Sequence, residues 1–262
     1  MNRDLKNAKL YKLLMDTPSN IVLTSSYLRS WGLTNANVKK YLHEAILTSL
    51  ARGAYKKASD NVDWSGVVYG LQQSKEGRYH IGGIVALRLS NMAHLIKSES
   101  EQKIYLYSGA NKKLPLWLVK NRWGFEINFI HTNFLSLDTG LDDFDYGGYK
   151  IKISTRERAI LEVIHDMDKF SSFYEVNLLM ANSGTLDSDL IQKLLEECIS
   201  VRTIRIFLFL AKKNQLGWLN SIKIDKLHLG SGKRQLVEGG FYDPEFQITY
   251  PKDLFESKKF EF

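Results

Sequence analysis

Side chains that can bind DNA recur on one face of a predicted helix near the N-terminus. At about 100° per residue, this face consists of Asn35, Ala36, Lys39, Lys40 and His43. Lysine ammonium groups neutralise phosphates, whereas asparagine and histidine side chains can hydrogen-bond the edges of bases. A face of this composition suits the major groove of double-stranded DNA. The alternative is that the lysines simply form the solvated face of an ordinary three-helix core.

Two short helices joined by a glycine turn are expected to position this face. Thr24 caps a first helix from Ser26 to Trp31, and Gly32 ends it because glycine adopts the left-handed conformation at little steric cost. Thr34 caps the second helix. Its buried stripe, at i, i+3, i+4 and i+7, is Val38, Tyr41, Leu42 and Ala45. Two helices arranged in this way form a helix-turn-helix.

A β-hairpin is expected directly after the second helix. A strand from Ile46 to Leu50 leads to the turn Arg52-Gly53 and to a basic return strand, Ala54 to Lys57. Such a hairpin, with which Ile21 to Leu23 can pair, would be the wing of a winged helix-turn-helix. The predicted DNA-binding residues are Ser25, Asn35, Asn37, Lys39, Lys40, His43, Arg52, Lys56 and Lys57.

The positive charge of the chain is concentrated in this segment. The 262 residues carry a net charge of +7. Residues 1–58 contain ten Lys or Arg and three Asp or Glu, whereas the remaining residues contain 26 of each sign. A module that binds a polyanion requires such a local excess. The charge distribution therefore favours DNA binding over a merely solvated face.

The cysteine content and the apolar runs indicate the compartment. Cys198 is the single cysteine, so it cannot form an internal disulfide, and a small buried thiol in a helix is expected. The N-terminal segment has no signal-peptide pattern. The longest strongly apolar run, Ile206 to Ala211, is far shorter than the roughly 20 residues that a membrane-spanning helix needs. We therefore expect a soluble, cytoplasmic protein without a membrane partner.

The residues after the hairpin predict a fold of the α+β class. Strands are expected at Lys103 to Tyr107, Leu114 to Val119, Gly124 to Ile130 and Tyr149 to Ile153. Helices are expected at Trp64 to Gln73, Ile81 to Leu95, Ser154 to Met167, Phe173 to Ala181, Ser188 to Ile199 and Val201 to Lys213. Residues 219–262 return to strands and turns. A capping box of Ser154 and Glu157 is expected to start the helix at residue 154.

A polar run at residues 58–63 marks the expected junction between two domains. We expect an N-terminal winged helix-turn-helix domain of residues 1–59 and a larger, mixed α/β C-terminal domain of residues 60–262, with the boundary anywhere up to Tyr79. Because a basic segment meets a charge-neutral one there, the joint is expected to be flexible.

Other residues with catalytic or metal-binding potential form no recognised motif. Gly230-Ser231-Gly232-Lys233-Arg234 is similar to the end of a phosphate-binding loop, but Leu227 stands where the first glycine is required. A solvated, acidic loop is expected around Asp138, Asp142, Asp143 and Asp145. The six histidines lack the spacing of metal ligands, and no serine or cysteine lies in a nucleophile motif. The sequence therefore predicts neither an enzyme nor a cofactor or metal site.

Several blocks, in a specific order, resemble one family. They are TSSYLRSWGLTNANVKKYLHEAILTSLARGAYKK, WSGVVYGLQQ, HIGGIVALRL, LPLW, ISTRERAILEVI and GKRQLVEGGFYDPEFQITYP. Together they span nearly the whole chain, and their order is more specific than any single block. The chain resembles the AbiEi antitoxins of bacterial abortive-infection (type IV toxin–antitoxin) systems, which act in phage defence. One departure is Ala45-Ile46, where the family pattern has a glycine and a bulky residue ahead of the wing.

The resemblance implies an autorepressor whose winged helix binds inverted repeats in its own promoter. It also implies that the C-terminal domain counteracts a nucleotidyltransferase-like toxin from the adjacent gene, usually without a stable complex. Recognition-helix and wing positions are occupied by Asn35, Lys39, Lys40, Arg52, Lys56 and Lys57. The basic residues that the resemblance places at the antitoxin surface are Arg156, Arg158, Lys233 and Arg234.

Two other functions remain open at this point. The C-terminal domain can instead be the sensor of a ligand-responsive winged-helix regulator; a nucleotidyltransferase gene immediately downstream would favour the antitoxin. A nuclease targeted by the winged helix is the third function, but YKIKIS at residues 149–154 lacks the acidic residue before lysine that such nucleases use. The alternative for Arg156 and Arg158 is a helical ion pair, for example with Glu162, worth only about 0.2–0.5 kcal/mol.

Overall fold

The computed structural model describes residues 10–73, 78–93, 103–109, 113–252 and residue 254, apart from the side chains of Asp168 and Phe170. The chain divides into two compact units. Unit one comprises Met1–His80, Ser100–His131 and Asp143–Ile153, and unit two comprises Ile81–Glu99, Thr132–Asp142 and Ser154–Phe262. Residues 10–16 are helical (α1).

The winged helix-turn-helix of unit one has the predicted order of elements. They are β1 (Leu23–Thr24), α2 (Ser25–Ser30), α3 (Asn35–His43), β2 (Leu47–Ala51) and β3 (Ala54–Lys57). Strand β3 lies between β1 and β2 and is antiparallel to both. The predicted pairing of residues 21–23 with the wing is therefore confirmed at Leu23, which lies opposite Tyr55.

Short-range hydrogen bonds explain where the two helices begin. The hydroxyl of Thr24 accepts the backbone N–H of Tyr27, and that of Thr34 accepts the N–H of Asn37. The Asn37 side chain in turn accepts the N–H of Thr34, which completes a capping box. Gly32, with φ +75°, makes the turn between the helices. The sequence-based prediction of both caps and of this turn is confirmed.

The end of α3 differs from the prediction at Ala45. The helix ends at His43, and Ala45 is exposed with φ +52°. Its N–H donates to the carbonyl of Leu42, and that of Ile46 donates to the carbonyl of Tyr41. These two bonds form a Schellman motif, which normally has glycine at the left-handed position. Ala45 is therefore not part of the buried stripe.

We expect Ala45→Gly to stabilise the protein by about 1 kcal/mol, because the left-handed conformation costs an L-residue about 1–2 kcal/mol. Chemical denaturation measures the change. The matched control is Ala36→Gly, at an exposed position of α3 whose φ is not positive. There glycine should destabilise by up to about 1 kcal/mol. A loss of stability in Ala45→Gly would contradict the strain assigned to this residue.

The chain after the wing alternates between the two units. Its elements are α4 (Trp64–Gln72), β4 (Tyr79–Ile81), α5 (Gly83–Leu89), β5 (Lys103–Ser108), α6 (Leu116–Val119), β6 (Glu126–His131), β7 (Leu141–Tyr146) and β8 (Tyr149–Ser154). A five-stranded sheet has the order β6-β5-β4-β8-β7, in which β5 and β6 are parallel.

Three predictions for this region are wrong. The helix expected from Ile81 to Leu95 is shorter: Ile81 lies in β4, and α5 ends at Leu89, shortly before the left-handed Asn91 (φ +58°). Residues 114–119 do not form a strand: Pro115 lacks an N–H for a sheet ladder, and its carbonyl accepts the N–H groups of Leu118 and Val119 to start α6. The stretch containing Asp142, Asp143 and Asp145 is strand β7 rather than a loop. Gly147 and Gly148 both have positive φ, as a two-residue type I′ hairpin turn requires, and connect β7 to β8.

Helix α4 packs closely against residues 20–22 of the winged helix. A Cβ atom on Gly66 would lie 1.9 Å from the carbonyl oxygen of Asn20. The N–H of Val22 donates to the carbonyl of Gly66 at 3.0 Å. Asp63 caps α4, and the hydroxyls of Ser65 and Tyr149 share a hydrogen bond of 2.6 Å. Unit one thus contains the winged helix, α4 and most of the five-stranded sheet.

The predicted boundary after residue 59 and the predicted joint at residues 58–79 stay predictions. Limited proteolysis of the full chain checks them, because a flexible joint is cut first and leaves two folded fragments. A chain that resists cleavage throughout residues 58–79 would contradict the joint.

Unit two consists of helices and a small C-terminal sheet. The helices are α7 (Arg156–His165), α8 (Met167–Phe170), α9 (Phe173–Ala181), α10 (Ser188–Glu197) and α11 (Val201–Lys213). Two 3₁₀ helices follow at Gly217–Ser221 and Ile224–Lys226. The sheet consists of β9 (Arg234–Gln235), β10 (Phe241–Asp243) and β11 (Ile248–Tyr250), in the order β10-β11-β9. Helix α7 packs against α5, α9, α10 and α11 and forms the centre of this unit.

Candidate nucleic-acid interface

The predicted polar face of α3 is exposed. Asn35, Lys39 and His43 are accessible along it, while Val38 and Tyr41 are buried. Lys39 has no ion pair or hydrogen bond with any described residue. Lys40 forms an i,i+4 ion pair of 3.6 Å with Glu44, and both side chains are close to half exposed. Such a pair is weak in solvent, so phosphate can compete for Lys40.

Two predicted contact residues have structural tasks. The Asn37 carbonyl oxygen accepts hydrogen bonds from both the N–H and the hydroxyl of Thr34, so this side chain holds the start of α3. The N–H of Ser25 donates to the carbonyl of Gly53 at 2.9 Å and ties the wing turn to α2. The Ser25 side chain is half-buried beside that turn. DNA contact by either side chain remains a prediction.

The wing presents one exposed cation at its tip. Arg52 precedes Gly53, which has φ +88° and turns the hairpin, and among the described residues no carboxylate pairs with Arg52. Lys56 is half-buried, and its ammonium group donates to the carbonyl of Asp60. Arg52 is therefore the wing side chain with its charge best placed for phosphate.

Lys57, which was predicted as a DNA-binding residue of the wing, is not an exposed cation. Lys57 is 8% exposed, and its ammonium group donates to the carbonyls of Leu14 at 2.8 Å and Thr17 at 2.7 Å. Burial lowers the pKa of this lysine. Its task is to tie the return strand of the wing to the end of α1. Local sequence could not indicate this, because both partners lie at least 40 positions earlier in the chain.

The groove between α3 and the wing contains a cavity of about 690 Å³. Ser25, Asn35, Lys39 and Arg52 all line it, so the fold brings together four of the predicted DNA-binding residues. Lys40 and His43 lie farther along the exposed side of α3 and are not part of this lining. This groove is the candidate interface for the DNA backbone.

The prediction that Arg158 is an exposed cation of an antitoxin surface is also wrong. Its side chain is fully buried, and its Nε donates to Oε1 of Glu162 at 2.8 Å. Its Nη1 donates to the carbonyls of Ser136 and Thr139, both at 2.6 Å. The pairing with Glu162 was the alternative considered from the sequence, but burial makes the pair a structural centre of unit two rather than a weak surface contact.

The start of α7 differs from the predicted capping box because the side chains of Ser154 and Glu157 have other hydrogen-bond partners. The hydroxyl of Ser154 donates to Oε2 of the buried Glu162 at 2.8 Å, and the N-cap is Thr155. The Glu157 side chain accepts the N–H of Asp187 at 3.1 Å instead of reaching back to the helix start. The helix therefore begins one residue later than a box at Ser154 requires.

The other three basic residues proposed for the antitoxin surface are exposed. Arg156 donates to the carbonyl of Ser90 at 3.0 Å. The Lys233 ammonium lies 4.8 Å from the ring centroid of Tyr242, and Arg234 lies on β9. Within the part of the chain that the structure describes, no contact joins Arg156 to the Lys233-Arg234 pair.

Residues that sequence reasoning missed support this basic pair. The buried Arg205 of α11 donates from Nε to the carbonyl of Leu229 at 2.7 Å and from Nη1 to that of Gly232 at 2.6 Å. It thereby holds the loop that leads to Lys233. Phe241 and Tyr242 are large side chains exposed beside it on β10. The position of Arg205 within the apolar stripe of α11 was a sequence signal for this contact, because a buried guanidinium needs hydrogen-bond partners.

Potential metal ligands are dispersed in the ranges that the structure covers. No group of three His, Cys, Asp or Glu residues there is arranged to hold a metal ion. Cys198 is buried, as predicted, and burial raises the pKa of its thiol to about 11, which makes it a poor nucleophile. In the same ranges, no helix has the length and apolar character to cross a bilayer.

A helix-turn-helix with an exposed basic face and an antiparallel wing defines the winged-helix class of DNA-binding regulators. The chain belongs to the AbiEi antitoxin family, the transcriptional regulators of type IV toxin–antitoxin systems. The family's N-terminal domain matches residues 6–98, and its second domain matches residues 101–251. The resemblance inferred from the sequence blocks is thereby confirmed.

The fold is shared with a solved structure of low sequence identity. The crystal structure of the RV2827C protein from Mycobacterium tuberculosis matches with a TM-score of 0.59 and 12% identity, over 93% of this chain and 90% of that chain. At this identity the likeness shows the fold alone. No curated protein matches the sequence.

Proposed function

We propose that this regulator binds inverted repeats in its own promoter and represses its operon, and that it counteracts a nucleotidyltransferase-like toxin encoded by the adjacent gene. Family membership supports the combination of regulator and antitoxin. The observation that carries DNA binding is the groove between α3 and the wing, where Lys39 and Arg52 face one cavity without a described carboxylate partner. The same features support a binding rather than a catalytic role.

The proposed contacts divide into two kinds. Lys39, Lys40 and Arg52 are placed to neutralise phosphates, which fixes the protein on the duplex without reading its sequence. Asn35 and His43 are exposed on the same helix and are proposed to contact base edges. Replacing a phosphate contact should weaken binding to all sequences, whereas replacing a base contact should relax sequence preference.

The salt dependence of promoter binding tests this proposal. Each lysine that neutralises a phosphate contributes about 0.9 to the slope of log K against log salt. We expect Lys39→Ala with Lys40→Ala to reduce the slope by up to about 1.8, and Asn35→Ala to relax specificity by about 1–3 kcal/mol. The matched control is Lys193→Ala on the exposed side of α10, which should leave the slope unchanged. An unchanged slope in the double variant would remove α3 as the DNA-binding helix.

The proposed antitoxin surface lies around β9 and β10 in unit two. This surface combines exposed cations with exposed aromatic rings beside the loop that Arg205 holds, and its members are Lys233, Arg234, Phe241 and Tyr242. Exposed aromatic and basic side chains together are typical of recognition surfaces. Arg156 remains a separate candidate on α7.

Growth of cells that express the downstream toxin tests this surface in the full chain. We expect Lys233→Ala with Arg234→Ala to lose protection from the toxin while promoter binding keeps its salt slope. Lys39→Ala with Lys40→Ala should show the reverse pattern, with protection retained when expression is driven by an unrelated promoter. Full protection by the Lys233, Arg234 double variant would contradict the surface, and loss of protection only in the α3 variant would contradict the separation of tasks.

A further inference from the structure

The cavity beside α3 has a third wall that does not belong to the winged helix. Besides α3 and the wing, it is lined by Leu116, Trp117 and Lys120. These residues belong to or directly follow α6, which packs against wing strand β2 within unit one. They also fall in the segment matched by the second family domain rather than by the N-terminal one. The recognition groove is therefore bounded by residues distant in sequence.

Positive charge converges on this cavity without compensation. Lys39, Arg52 and Lys120 all line it, and no Asp or Glu does. All three are exposed, and none has an ion pair or side-chain hydrogen bond with another described residue. The neighbouring Lys40 and Lys57 differ in this respect, because each already has a partner within the fold. Three like charges around one space favour an anion as its occupant.

The rest of the cavity lining fits a DNA backbone, in which apolar deoxyribose rings alternate with charged phosphates. Apolar walls from α3, the wing and α6 are provided by Val38, Leu42, Tyr55, Leu116 and Trp117. Such walls suit a deoxyribose, while the cations suit the phosphate beside it. Ser25 adds a hydroxyl that can hydrogen-bond a phosphate oxygen.

Helix α6 is held firmly enough to present Lys120. Trp117 and Leu118 are buried, and Trp117 packs edge-to-face against Trp123 at 6.1 Å. The indole N–H of Trp123 donates to the carbonyl of Leu118 at 2.9 Å, which closes the segment that follows the helix. Lys120 thus extends from a packed support toward the cavity.

We propose that α6 is part of the DNA-binding surface, and that backbone phosphates of the DNA lie along this cavity, where Lys39, Arg52 and Lys120 each neutralise one of them. This inference rests on the proposed DNA binding and extends it to a residue outside the winged helix. The DNA backbone is the favoured occupant because Lys39 lies on the predicted recognition face and Arg52 at the wing tip. Binding of a small free anion would not require these cations to lie on the recognition helix and at the wing tip.

Promoter binding by full-length Lys120→Ala tests the inference. We expect its salt slope to fall by about 0.9, and we expect the charge-conserving Lys120→Arg to retain the slope. The matched control is Lys150→Ala, an exposed lysine of unit one that does not line the cavity. Because Lys120 is exposed, we expect Lys120→Ala to unfold at the same midpoint as the original protein while its salt slope falls.

The outcomes separate this inference from the proposed function. If Lys39→Ala lowers the slope and Lys120→Ala behaves like Lys150→Ala, the role of α6 is overturned and DNA binding by α3 stands. If neither variant lowers the slope, both fail. Calorimetric titration with pyrophosphate in the absence of DNA provides the other arm: binding that Lys120→Ala abolishes, together with an unchanged DNA slope, would overturn the backbone assignment in favour of a small anion.

Discussion

Replacing Arg158 with alanine should destabilise the protein by about 3–5 kcal/mol. The substitution removes the guanidinium partner of the buried Glu162 carboxylate, to which the hydroxyl of Ser154 and the N–H of Gly83 still donate. It also leaves two carbonyls, of Ser136 and Thr139, without their guanidinium donor. An uncompensated buried charge is far more costly than a lost surface contact. Chemical denaturation of the purified variant measures the change.

Arg156→Ala is the matched control on the same helix. Arg156 is exposed and donates one hydrogen bond, to the carbonyl of Ser90, so its loss should cost about 1 kcal/mol or less. Comparable stability in the two variants would contradict the role of the buried pair. In the Arg158→Ala, Glu162→Ala double variant the loss should be smaller than the sum of the single losses, because the two side chains interact directly.

Gly66→Ala should destabilise the protein by about 3 kcal/mol, near the upper end of overpacking effects. The added Cβ would meet the carbonyl oxygen of Asn20 at 1.9 Å, so backbone must move rather than a side chain. This movement would stretch the hydrogen bond from Val22 to the carbonyl of Gly66. Promoter binding should weaken together with stability, since residues 20–23 lead into β1 and α2.

Gly124→Ala provides the comparison for Gly66→Ala. A Cβ on Gly124 would have no atom within 4 Å, and its φ is not positive. Its stability should stay within about 0.5 kcal/mol of the original protein. If Gly66→Ala proved equally mild, the close approach of α4 to residues 20–22 would not exist in solution.

The elements with local signals were predictable from the sequence. Thr24 and Thr34 are caps followed by short amphipathic helices, and Val201–Lys213 forms a helix with the predicted bounds because Ser200 caps a long apolar run. The wing followed from Arg52-Gly53 between two strand-like segments. In each case the interactions that decide the structure lie within a few residues along the chain.

The errors have a common physical origin in long-range burial. Lys57 and Arg158 belong to residue types that are usually exposed. Both can be buried because their charged groups donate hydrogen bonds to backbone carbonyls distant in sequence. Strand β7 was missed because its exposed aspartates resemble those of a solvated loop, and the sheet that makes it a strand is completed by strands from elsewhere in the chain. Lys120 escaped notice because only the folded chain brings α6 to the wing.

The burial of Lys57 lowers the salt slope that one bound copy of the protein can contribute, and so affects how a measured slope is converted into a number of copies. A lysine that is buried within the fold releases no counterions from DNA. The net charge of the first 58 residues therefore overestimates the number of phosphates that the protein neutralises. One copy that neutralises four phosphates, through Lys39, Lys40, Arg52 and Lys120, would contribute a salt slope of only about −3.6. A measured slope near twice this value would correspond to two copies, one on each half of an inverted repeat. Repression would then rise more steeply with the concentration of the protein than it would for a single bound copy.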